Sequence, residues 1–454
     1  MRGIPPAPIV ERFKFRPYRP GRTRVPVRCV TPADGYYVHT FYDVCPFSPC
    51  GRYLALTRLP YQGRRPVLGE LADVSVVDLE DESVETVYRT PAWAFQLGAQ
   101  VQWGPESEHA LYANDVVEGR GVCVRIDLRE RKARLYAGPK YDLAPDASYA
   151  VGPDLALMNA TQYGYGIPDP PGESPPRLGL DDLAGQGIWR TDLASGEVSL
   201  LVSLERLAAA ATSTKQAAGG IPYCFHTKLN RQGTRLLQVL RCLVPGRAAR
   251  NACLLSLDPG GRDVREVVDR RSWSTRGRLG GTANHPNWHP DGERMVLNLV
   301  PRSLGHDDVR FCTIRFDGSD LRVLSERHAG SGHPSVDPSG RYLLSDAYPR
   351  ESWVVSEDRE IPIRILHLDS DEEVRICSVA VDMEQPRNAS PRPAPRSIWQ
   401  RARGVRAERP RSQRGSHFKL DPHPAWSRDS RRVCFNGAPD GRRQVFVADV
   451  SKLL

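Results

Sequence analysis

Four of the 11 histidines in this 454-residue chain fall at one position of a repeated pattern. The pattern is an apolar anchor, a short turn of the Ser-Pro-Asp-Gly kind, and an apolar strand. Three residues before the anchor, seven successive copies carry Val44, Gln100, Lys140, His226, His285, His333 and His423. With 11 histidines in 454 residues, chance places well under one in seven such positions. Imidazole is the side chain most used both for metal ligation and for proton transfer near neutral pH. Four imidazoles converging on one place would repel one another if charged, so a bound cation is a natural reason for them to stay neutral. The pairs His285-Pro286, His333-Pro334 and His423-Pro424 also indicate common descent of the copies. Descent alone would give a polar column lining a channel, with water on each ring.

Asp421 lies two residues before His423 and points to the same strand face, because side chains alternate with period two. His417 is just upstream of it. His306-Asp307-Asp308 falls in a hairpin at the rim, and His289 sits in a turn where it packs locally. There is no G-x-S-x-G elbow, no Walker A loop and no dinucleotide fingerprint, which disfavours a serine hydrolase or a nucleotide enzyme.

The elements that must position the column follow from the same repeat. Its copies run from Phe47-Ser48-Pro49-Cys50-Gly51 through Trp103-Gly104-Pro105, Leu143-Ala144-Pro145-Asp146 and Leu229-Asn230-Arg231-Gln232-Gly233. They continue with Trp288-His289-Pro290-Asp291-Gly292, Val336-Asp337-Pro338-Ser339-Gly340 and Trp426-Ser427-Arg428-Asp429-Ser430. Each is followed by a second alternating strand, usually closed by Asp, as at 122–127 and 252–258. Period-2 strands at regular spacing give an all-β fold, and seven radial units give a seven-bladed β-propeller. The last unit lacks an outer strand, and residues 23–30 are apolar enough to supply it and close the ring. The whole chain, 1–454, is therefore expected to form a single propeller. Loops rich in Gly, Pro and Tyr at 159–187, and in Arg and Pro at 385–416, are inserted into it.

The turn-and-strand copies resemble the TolB/WD40-like propellers. The His-Pro copies at His285, His333 and His423, with Asp421-Pro422-His423-Pro424, resemble the oligogalacturonate lyases. That resemblance implies a divalent metal, typically manganese, at the propeller centre on three His and a Gln, with a further His as base. Carried over, it makes His285 and His423 ligands and His226 the base. Asp421 stands where a ligand His would be, Phe418 replaces the Gln, and His333 is the substitute ligand. The implied reaction is β-elimination on a uronic acid. A cation on the carboxylate stabilises the charge left when the C5 proton departs, and the oxygen at C4 leaves. Lys140 and Gln100 in the column, with Arg241 and Arg278 nearby, would bind further carboxylates. Other readings are a non-catalytic propeller that binds a protein partner, or a hydrolase or epimerase on the same scaffold.

Bulk composition narrows the setting. No run of 18 apolar residues exists, so no transmembrane helix is expected. Met1-Arg2-Gly3-Ile4-Pro5-Pro6 has no apolar export core, and ten scattered cysteines form no C-x-x-C pair, which predicts a reduced, cytoplasmic protein. The net charge of +9 is concentrated at 385–416, where nine arginines face Glu408 alone. With Trp399 its single aromatic, that stretch is poorly equipped to stack bases, so nucleic acid is disfavoured. A basic flap leading into Asp421 and His423 would instead attract an anionic oligosaccharide.

Overall fold

The computed structural model describes residues 2–454 except 20, 106, 163, 172–181, 212–220, 244–250, 274, 280–282, 352, 356–359 and 382–418. The described residues form seven antiparallel sheets of four or five strands, taken up in chain order, as a seven-bladed propeller. Blade 4 shows the plan: Ile221–Leu229 innermost, then Leu236–Leu243, Asn251–Leu257 and Arg265–Val268. The insert at 385–416, with His417 and Phe418, lies outside the described residues. The earlier insert, around 159–187, is entered by a short helix, Leu155–Thr161, capped by Asp154, whose Oδ1 accepts from the Leu157 amide at 2.8 Å.

The repeated turn has a physical reason. The fourth residue after the anchor has positive φ in six copies: Gly51, Ala147, Gly233, Gly292, Gly340 and Ser430, between 55° and 80°. Glycine adopts that conformation freely, so the two non-glycine copies are the ones that lost the motif's last letter. The aspartates that close second strands accept from amides two and three residues on, as Asp78 and Asp127 do. Anchor tryptophans staple neighbouring blades. Trp103 Nε1 donates to the Pro46 carbonyl at 2.8 Å, Trp288 to Lys228 at 2.9 Å, and Trp426 to Ser335 at 3.2 Å.

Closure follows the expected route. Val27–Cys29 pairs with the last strand, Gln444–Asp449, in the register Val27↔Ala448, Arg28↔Val447, Cys29↔Phe446. The N-terminal segment goes further than its sequence suggested. Arg16–Pro17 adds a fifth strand to blade 7, and Ile9–Arg12 pairs with the outer strand of blade 1. Arg2 reaches blade 2, where its guanidinium meets the buried Asp115 at 2.9 Å.

Blade 1 departs from the repeat. Its inner strand, Tyr36–Val38, stops after the pair Val38↔Thr57, and pairing resumes only at Phe47↔Leu54. Residues 39–46 between them carry Phe41 and Tyr42, both buried, against the histidine rings. The residue that follows the break is His39, as His285 follows Asn284 at the break in blade 5. Blade 1 thus contributes His39 to the column, not Val44.

Candidate functional site

Breaks in strand pairing aim the column at the centre. The ladder slips between Cys224 and Thr227 around His226, and between Asn284 and Asn287 around His285. Gln100, His285 and His423, at the same position of three blades, all have left-handed φ, of 52°, 54° and 48°. Such a conformation is uncommon outside glycine and persists where the surroundings over-determine it, typically at functional sites.

Three of the four predicted histidines meet. The His333 ring lies 4.1 Å from His285 and 4.4 Å from His423, centroid to centroid. His333 Nδ1 contacts both oxygens of the buried Asp346, at 2.8 and 3.0 Å, which puts its proton there and turns Nε2 inward. A carboxylate behind a ligating histidine is the usual orienting device. Asp346 also accepts from the His423 amide at 3.2 Å, tying the two rings to one carboxylate. His423 is 1% exposed, and neither ring nitrogen has a hydrogen-bond partner. Ligand atoms of His333, Asp421 and His423 all lie within 4.8 Å of one another. Asp421 Oδ1 also receives the Lys419 ammonium at 2.5 Å, and that ammonium sits 3.9 Å above the Tyr348 ring. His285 adjoins this group without joining it. Its Nδ1 meets the Gly332 carbonyl at 2.9 Å, and its Nε2 lies 3.1 Å from the Tyr348 hydroxyl.

His226 stands apart. Phe41 comes between, its ring 4.4 Å from His423 and 5.4 Å from His226. His226 Nδ1 is 2.5 Å from the Tyr141 hydroxyl. Arg241 stacks 3.7 Å over the Phe225 ring, itself 4.0 Å from His226, and hydrogen-bonds Gln162. Burial pushes the imidazoles of His226, His285 and His423 well below their usual range. For His226 the charges of Lys228 and Arg241 add to burial; for His285 and His423 the His333 ring does. All three are therefore neutral at neutral pH and able to ligate or to exchange a proton.

The expected carboxylate binders divide. Arg241 lies beside the site. Lys140 is wholly buried, its Nζ held by Gln102 Oε1 at 3.3 Å, and burial lowers its pKa to about 8. Gln100 is consumed internally: Nε2 donates to the Tyr141 carbonyl at 2.9 Å and Oε1 accepts from Asn114 at 3.1 Å. Both are buried in the inner wall, and the polar atoms of Gln100 are already bonded there. Arg278 sits on an exposed turn, 3.3 Å from Asp308. Its ion pair and hydrogen bonds stay in blade 5.

Sequence reasoning missed His39, Asp346, Tyr141, Lys228 and Lys419. His39 is fully buried, with both ring nitrogens unpartnered. The buried Lys228 pairs with Asp43 at 2.9 Å, with the Tyr42 hydroxyl and the Pro286 carbonyl around it. Period two from His226 marks Lys228 for the same strand face. Lys419 is likewise two residues from Asp421, and His39 lies where blade 1 departs from the repeat. Tyr141 and Asp346 act across blades, for which a repeat alignment carries no signal.

No family model matches the sequence, and no curated protein matches it. Among solved structures, an oligogalacturonate lyase in complex with manganese superposes with a TM-score of 0.63. Identity is 14%, over 97% of this chain and 97% of that one. The oligogalacturonate lyase of Vibrio parahaemolyticus gives a TM-score of 0.62 at 13% identity, over 97% and 98%. The chain has the oligogalacturonate lyase fold. A TolB from Acinetobacter baumannii also matches, at a TM-score of 0.37 and 10% identity over 88% and 81%, a likeness too loose to argue from.

Proposed function

We propose that this chain is a metal-dependent lyase that β-eliminates uronate-containing oligosaccharides. The observation that carries the reading is the buried group His333, Asp421 and His423, with two imidazole nitrogens of His423 left without partners. Buried polar atoms rarely go unpaired, and two imidazoles with one carboxylate are a donor set suited to a divalent first-row cation such as manganese. This set fits the group that the fold implies, with Asp346 fixing His333 from behind. A cation bound there supplies Lewis acidity toward the substrate carboxylate.

The chain's own residues supply the rest. The C5–H electrons become the C4=C5 double bond, the proton goes to a base, and the C4–O bond breaks with its electron pair passing to the leaving oxygen, which takes a proton from water. His285 has its Nδ1–H committed to the Gly332 carbonyl, so its Nε2 lone pair, which meets the Tyr348 hydroxyl at 3.1 Å, is the one to accept that proton when the hydroxyl turns away from it. Arg241, flat on Phe225 beside His226, is placed to take a carboxylate bidentately. The test is a panel of acidic oligosaccharides followed by absorbance of the unsaturated product, together with metal content. His285→Ala is expected to keep bound metal and lose turnover by at least about 100-fold, whereas His333→Ala loses the metal. Loss of metal in His285→Ala would return that residue to the ligand set.

A further inference from the structure

We infer that Tyr141 fixes His226 as a hydrogen-bond donor, so that Nε2–H of His226 meets the negative charge developing on the substrate and does not take its proton. The inference rests on the lyase reading and deepens it. Its geometry is local. Tyr141 and His226 are 3% and 2% exposed, and the phenol oxygen is 2.5 Å from Nδ1. Among the described residues the Tyr141 hydroxyl has no other acceptor. Burial, reinforced by Asp43, raises the phenol well above its ordinary pKa, so its proton stays on oxygen. A buried hydroxyl without an acceptor is costly, so that proton points at Nδ1. A neutral imidazole carries one hydrogen, and with Nδ1 accepting it must sit on Nε2. Nε2 makes no hydrogen bond among the described residues.

The partner is held as firmly as the ring. The Tyr141 amide donates to the Val151 carbonyl at 2.6 Å, and its carbonyl accepts from Gln100, which Asn114 steadies in turn. The left-handed Gln100 thus acts on Tyr141 as a strut. His285 is set the opposite way, with hydrogen on Nδ1. Two histidines of one column therefore carry their hydrogens on opposite nitrogens: His285 on Nδ1, with Nε2 facing the Tyr348 hydroxyl, and His226 on Nε2. A neutral imidazole N–H facing an enolate-like oxygen is an established electrophilic arrangement. Tyr141 is the positioning residue and His226 the group that touches the charge.

The tautomer is read directly by long-range 1H–15N correlation on the full-length protein labelled with [15N]histidine, the His226 signals being identified by their loss in His226→Gln. Expected are an unprotonated Nδ1 and a protonated Nε2, and in Tyr141→Phe a shift toward the other tautomer. A protonated Nδ1 in the unmodified protein overturns the inference, whether or not Tyr141→Phe folds. In turnover, His226→Gln keeps an N–H and is expected to exceed His226→Ala by at least about tenfold. Equal loss in both would return the proton-accepting role to His226. If no uronate in the panel is turned over, the lyase reading fails, and the nitrogen spectrum still decides the tautomer.

Discussion

His333 and His423 sit side by side but are held differently, and the difference sets how each responds to substitution. His333 is oriented by the Asp346 carboxylate, while His423 has only its amide tied there and its ring free. Asp346→Ala should therefore lower manganese affinity by about 10- to 100-fold, as for other carboxylates behind ligating histidines, measured by titration calorimetry. Unchanged affinity would remove Asp346 from that role. The same burial predicts a pH dependence of stability. His39 has its pKa lowered by desolvation to about 4, from 6.5 in the unfolded chain. Below about pH 6.5 the unfolded chain binds a proton that the folded chain refuses, so stability is complete above that pH and is lost as pH falls toward 4. For His39 alone this is on the order of 3 kcal/mol, and His226, His285 and His423 act in the same direction. Asp142, raised by burial to about 6, and Glu351, also raised by burial, oppose them. With four imidazoles against two acids, the melting temperature of chelator-treated protein should fall between pH 7 and 5, and a flat profile would contradict the neutral cluster.

At the scale of elements, what the sequence made legible is what the repeat itself encodes. Anchors such as Trp288 and Trp426 fix the register, so the positions of His226, His285, His333 and His423 could be read by counting back. The reading failed where the count was broken. Residues 39–46 enlarge the break in blade 1, so counting three back from Phe47 reached Val44 and passed over His39. For Lys140 and Gln100 it placed both on the inner wall, but a repeat position does not say whether a polar end is already bonded, as those of Gln100 are. Contacts such as Asp346 with His423, from different blades, have no trace in one sequence. The closing strand was legible because blade 7 lacked an outer partner. Removing residues 1–30 strips Val25, Val27, Cys29 and Val30 from buried positions. Each such side chain contributes roughly 1.5–3 kcal/mol on burial, so the melting temperature should drop by more than about 5 °C. A deletion that melts like the full chain would mean that the ring closes without it.

Across the whole molecule, seven small sheets converge on a common centre, and no single blade holds the site. The proposed ligands come from blades 6 and 7, the proposed proton acceptor from blade 5, and the proposed donor from blade 4 with its tyrosine from blade 3. No described helix is long and apolar enough to cross a membrane. The fold is that of lyases at 13–14% identity, so the chemistry must be established on this chain itself. One measurement does so: product absorbance from a panel of uronate oligosaccharides, with metal-loaded and chelator-treated protein side by side. A metal-dependent rise with at least one uronate substrate, abolished by chelation and restored by manganese, is the predicted result. No rise with any of them from metal-loaded protein, or a rise indifferent to chelation, would contradict it.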